Sequence, residues 1–198
     1  MHYLRNVDSD TLMPFITTTG LLLIIFSVFV PFPAILFIQD TLFFSYDHLS
    51  FIRPTASYVG FGAGMIWLAI VLFSFLLTKR YFEKKDRKYK LTGIHLAFLT
   101  LGFVFFAASI FHYHYLDEHG IQSNLFWSLS EESMAWDDVK ELSRVVEEDS
   151  YRVLSYTFSS NDMSITIPYD AEDADTSYTI NRAIDMYNWE VVDNFTAE

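Results

Sequence analysis

Three stretches of the chain are apolar without alternation and carry no charged residue: Phe15 to Ile38, Ala56 to Leu77 and Leu91 to Phe111, of 24, 22 and 21 residues. A helix needs roughly 20 apolar residues to cross a hydrocarbon core of about 30 Å, and a surface helix of a soluble protein keeps one polar face over such a length. The pattern predicts three membrane spans, 15–38, 56–77 and 91–111. Pro31 and Pro33 interrupt the far part of the first, where missing backbone donors predict a kink or an early exit. That first run is longer than the core of a signal peptide, only Arg5 precedes it as a cation, and no small-x-small cleavage site follows. It is expected to stay as an anchor.

Beyond Phe111 the pattern changes period. Leu154, Tyr156 and Phe158 alternate, then Met163, Ile165 and Ile167 alternate after a Ser-Ser-Asn-Asp turn, which predicts a β-hairpin. Ile180, Ala183, Ile184, Tyr187 and Val191 recur at helical spacing, with Thr176 or Ser177 available as cap and "DAEDAD" placing negative charge at the helix start. Between these lies "SLSEESMAWDDVKELSRVVEED", where Trp136, Val139, Leu142 and Val146 fit a helix better than a strand. The expected fold class is a membrane α-helical part with three transmembrane helices plus a small α+β C-terminal domain. The expected divisions are an N-terminal segment (1–14), a three-helix membrane domain (15–111) and an acidic domain (112–198) with Trp136 in its core.

Charge separates the two parts. From Asp117 onward there are 19 acidic and 4 basic residues, against 6 and 9 before, within a net charge of -12. So acidic a domain excludes nucleic acid as its partner. Seven of the thirteen Lys and Arg residues lie in Thr78 to Lys90: Lys79, Arg80, Lys84, Lys85, Arg87, Lys88 and Lys90. Short loops with such charges stay in the cytoplasm. This places the N terminus inside, the Gln39–Thr55 loop outside with Arg53 as its one cation, and the acidic domain outside. The basic run reads as a lipid-facing site for anionic head groups, or as a topology signal alone. With no cysteine in the chain, disulfides, thiolate metal sites and cysteine nucleophiles are ruled out, which suits a bacterial envelope better than a secretory route.

The spans hold no Asp, Glu, Lys or Arg, which argues against an ion or proton pathway. His95 is their one ionisable residue, either a relay or a bond to a neighbouring helix. Gly60 and Gly64, with Gly62 between them, have the small-xxx-small spacing of a helix-packing face. The segment "DTLFFSYDHLSFIRP" has the aromatics of an interfacial belt, or of a docking surface. In "FHYHYLDEH", an extended backbone sets His112 and His114 on one face, near Asp117 and His119; that spacing fits Zn or Cu, but no second ligand cluster accompanies it. Glu131, Glu132, Asp137 and Asp138 read as a solvated face before a catalytic carboxylate pair. Asp170, Glu172, Asp173 and Asp175 lack the glycine and distal Glu of an EF-hand loop and read as helix-start charge.

The order "YLDEHGI" (Tyr115 to Ile121), a further strand, a Trp-acidic-hydrophobic corner at Trp136 to Val139, a hairpin and a closing helix resembles the bacterial pleckstrin-homology-like domains of small membrane proteins, over residues 112–193. The resemblance implies a PH-like fold and makes "VKELSRVV" a strand, against the pattern reading. Many such domains are thought to face the cytoplasm, against the charge distribution. Together these features lead to the expectation of a non-enzymatic membrane protein without cofactor. It presents its acidic domain to a protein or envelope partner, or to a second copy, in an accessory, sensor or immunity role. The alternative is a small membrane enzyme or transport subunit using His95 or the His112, His114, His119 cluster.

Overall fold

In a computed structural model, residues 9–128 and 130–196 are described, and they form two compact units. The first runs to Gln39 and resumes at Ala56–Ile110; the second takes Asp40–Thr55 together with the chain from Phe111. The loop between the first two predicted spans therefore contributes to the C-terminal unit.

The first unit is helical. Its helices are α1 (Ser9–Phe29), the first part of α2 (Pro31–Phe43), α3 (Thr55–Glu83) and α4 (Thr92–Ile110). At about 1.5 Å per residue, the 21, 29 and 19 residues of α1, α3 and α4 extend roughly 30, 43 and 28 Å, long and apolar enough to cross a membrane. The first apolar run is split at Val30. Proline at 31 has no N–H to give the Ser27 carbonyl, yet Val30 N still donates to Phe26 O at 2.8 Å and Ala34 N to Val30 O at 3.0 Å. A break of one residue results, and helix resumes at once.

Because α1, α3 and α4 are apolar on all sides, hydrophobicity does not tell them which face to pack; small residues do. A Cβ on Gly62 would lie 2.7 Å from the Ser27 carbonyl oxygen, the acceptor that Pro31 leaves without its helical donor. On Gly64 it would lie 2.9 Å from the Phe106 ring. The glycine cluster thus serves two neighbours, α1 on one side and α4 on the other. The most apolar window of α3 is 39% buried against 17% for each of the other two, which makes α3 the central helix.

The second unit has two four-stranded sheets. In the first, β1 (Ser50–Ile52), β2 (Tyr113–Leu116), β3 (Gly120–Asn124) and β4 (Glu132–Ala135) pair in that order, all antiparallel. The second has the order β7 (Ser164–Pro168), β6 (Val153–Ser159), β5 (Glu141–Glu147), β8 (Val191–Thr196). Here β8 runs parallel to β5 and follows α5 (Ala174–Tyr187), as a parallel connection requires a crossover. Ile52, Leu116, Ile121, Met134, Trp136, Leu142, Phe158, Ile165, Ile167 and Ile180 form one continuous core. The hairpin of β6 and β7 has the register expected from its alternation, with Tyr156 opposite Ile167 and Phe158 opposite Ile165.

Three expectations need correction. First, residues 141–147 are a strand: a 3-10 turn (Trp136–Asp138) separates Trp136 from it, and only Leu142 and Val146 remain of the supposed helical stripe. Arg144 interrupts the alternation between them, and its guanidinium is held by Asp193 across β8, Nε to Oδ1 at 2.6 Å. Second, α5 is capped by Asp173, whose carboxylate accepts from the Thr176 N–H at 3.2 Å and from the Thr176 hydroxyl at 2.6 Å. Third, α5 ends at Tyr187, because Asn188 takes a left-handed conformation (φ 51°), so Val191 begins a strand.

Candidate interaction face and the histidine clusters

The basic run is partly helix. α3 continues to Glu83, so Lys79 and Arg80 are helical, and Lys79 is buried with 0% exposure, not turned to lipid head groups as expected. A buried ammonium needs a counter-charge. Glu83, one turn on, supplies it at 3.7 Å, and the same carboxylate accepts from the Ser9 backbone N–H at 3.1 Å. Lys79 therefore helps fasten the start of α1 to the end of α3. Arg80, Lys84, Lys85, Arg87, Lys88 and Lys90 are exposed, and Arg5 lies outside the described residues.

His95 is buried in the bundle, with Nε2 3.3 Å from the Ser74 hydroxyl and Nδ1 3.0 Å from both the Tyr89 hydroxyl and the Leu91 carbonyl. The Tyr89 hydroxyl meets that of Thr78 at 2.9 Å. This chain of polar side chains joins α3, the connecting loop and α4, which is how polar groups tie apolar helices together.

His112 and His114 share the inner face of the first sheet, as alternation predicts, with ring centroids 5.6 Å apart. Each already has a protein partner: His112 Nδ1–H donates to Asn124 O at 2.9 Å, and His114 Nδ1 lies 2.8 Å from the Ser123 hydroxyl. Burial, followed by the repulsion of His112, pushes His114 down to about 4, and burial lowers His112 as well. Both rings are held neutral near pH 7. His119 is exposed in the β2–β3 turn. Among the described residues no group of three His, Cys, Asp or Glu residues could hold a metal ion.

The acidic clusters are separated by the fold. Glu131 accepts from the Tyr113 hydroxyl at 3.2 Å, and burial with this carboxylate pushes the Tyr113 phenol up to about 12. Glu132 lies on β4, and Asp137 and Asp138 are in the 3-10 turn. Asp170 accepts from Glu172 N at 3.1 Å and pairs with Arg152 at 3.7 Å, while Asp173 caps α5. Trp136 is buried, donates from Nε1 to Asp117 O at 3.0 Å and meets Phe158 edge-on.

One groove of about 230 Å³ opens on the second unit. It is lined by Leu49, by Asp117 and Glu118 of the β2–β3 turn, by Trp136, and by Thr179, Arg182, Ala183 and Met186 of α5. Arg182 and Met186 are exposed. The groove thus combines buried Trp136, Thr179 and Ala183 with side chains of both signs of charge. Sequence reading did not find it, because Leu49, Asp117 and Arg182 are distant in the chain and converge only when β1 joins β2 and α5 packs on that edge. The pairing of the Ser50 and Thr176 hydroxyls marks that junction. No protein-family profile, curated protein or solved structure matches this chain.

Proposed function

We propose that this is a multi-pass bacterial membrane protein without enzymatic activity. Three helices anchor an acidic, PH-like α+β unit on the extracytoplasmic side, where it binds a protein partner in an accessory, sensor or immunity role. The observation that carries the reading is the groove beside α5, where buried Trp136 and Ala183 meet the acids of the β2–β3 turn and the exposed Arg182. Such a mixed surface suits a polar-rimmed protein contact. The PH-like assignment is supported by the order of three strands, a Trp corner, a strand, a hairpin and a helix over residues 113–187. The orientation is supported by the cations at the α3–α4 connection against the acids of the second unit. The histidine alternative is weaker, since His95, His112 and His114 are all engaged by neighbouring protein groups.

The test is photocrosslinking in native membranes with a photoreactive residue at Met186, and separately at Thr166 on β7. A discrete adduct from Met186 that Thr166 does not give, and that weakens in Arg182→Glu, is expected. Equal or absent adducts from the two positions would overturn the reading.

A further inference from the structure

We infer that the turn Leu125-Phe126-Trp127 is a second membrane contact of the C-terminal unit, dipping into the interfacial layer of the bilayer that the helices cross. Three independent observations lead there. The first is position. In the β2–β3 ladder Tyr113 pairs with Asn124, so the turn continues beyond the ladder at the end where the chain enters from α4. Consistent with that register, the Phe126 ring meets His112 edge-on at 5.7 Å. The Phe43 ring, from the last turn of α2, lies 4.4 Å from Tyr113 at this same end.

The second observation is exposure. Ser128 N donates to Leu125 O at 2.9 Å, a tight turn that leaves Trp127 69% and Leu125 45% exposed. The third is charge. From Gly120 to Ser130, eleven residues in succession carry no formal charge, although the chain from Asp117 on holds 19 acids. An uncharged turn with an exposed Trp, in a chain region so rich in acids, fits the head-group layer, where Trp is favoured. Acidic residues at that place would be repelled by anionic lipid. The occupant is therefore lipid at the level of the glycerol and first methylenes.

This inference rests on the helices crossing a membrane, but not on the side the unit faces or on its partner. The chain has no native cysteine, so a nitroxide label at Trp127→Cys in the full-length protein in lipid bilayers reports one site. Asp162→Cys, in the exposed β6–β7 turn, is the water-facing control. The label at 127 should collide more with oxygen, which partitions into lipid, than with a water-soluble nickel chelate, with the reverse at 162. A second measurement leaves every cysteine out: brominated lipids should quench a part of the native Trp emission that is missing in Trp127→Phe. Nickel exceeding oxygen at 127 would place the turn in water. Protection from both reagents, with no Trp127-dependent quenching, would mean that protein covers it; either result overturns the inference.

Discussion

The two units reach order by opposite routes. In the bundle, side chains such as Phe15, Val28 and Leu77 stay 68 to 73% exposed within apolar helices, and the contacts are fixed where side chains are missing, at Gly62 and Gly64. In the C-terminal unit a continuous core of large side chains joins two sheets and a helix, and Leu116, Leu142, Phe158 and Ile167 have no exposure at all. Where water is the solvent, burial of apolar surface drives packing. Where lipid is the solvent that drive disappears, and close backbone approach with a few polar ties replaces it. A large aromatic should therefore matter greatly in one unit and little in the other.

The largest expected effect concerns the boundary between them. A fragment of residues 117–196 lacks β1 and β2 and should remain unfolded by circular dichroism, whereas 40–55 joined by a short flexible linker to 111–196 should fold cooperatively. Folding of the shorter fragment would show that β1 and β2 are dispensable to the core. Next, Trp136→Ala should cost about 3–5 kcal/mol in the C-terminal unit, whereas Phe15→Ala should shift stability by less than about 0.5 kcal/mol. Denaturant titration of the linked unit and thermal denaturation in detergent measure the two.

A third expectation follows from His114. Its folded pKa, about 4, lies below the ordinary 6.5, so the unfolded chain takes up the proton first as pH falls. Its contribution is complete above pH 6.5 and is lost progressively between 6.5 and 4, amounting to roughly 3 kcal/mol at most. His114→Gln should flatten that part of the stability profile; an unchanged slope would remove His114 as its source. Fourth, Gly62→Val drives a Cβ toward the Ser27 carbonyl and should cost about 1–3 kcal/mol of bundle stability. The smallest is Asp173→Ala, about 1 kcal/mol from loss of the α5 cap, visible as a lower melting temperature of the second unit.

The same contrast governs what the sequence made legible. The three long helices could be read from uncharged length alone, and the β6–β7 hairpin from strict alternation. Lys79 was misplaced because charge suggests a loop, while its burial depends on Glu83 and on Ser9, seventy residues away in the chain. β5 was hidden by Arg144, which occupies an apolar position of the alternation because Asp193 of β8 neutralises it from a neighbouring strand. β1 is three residues long and β8 is largely exposed, so neither carries a periodic signal. The groove beside α5 depends on that short β1 and had no local signature.

The reading of the acidic unit as an extracytoplasmic binding module depends above all on its side of the membrane. Lys85→Cys and Asp162→Cys, both at exposed positions, can each be treated on intact cells with a membrane-impermeant thiol reagent. The account predicts that Asp162→Cys is modified at once, and Lys85→Cys only after the membrane is opened. Modification of Lys85→Cys on intact cells, with Asp162→Cys protected, would contradict it and turn the acidic unit to the cytoplasm.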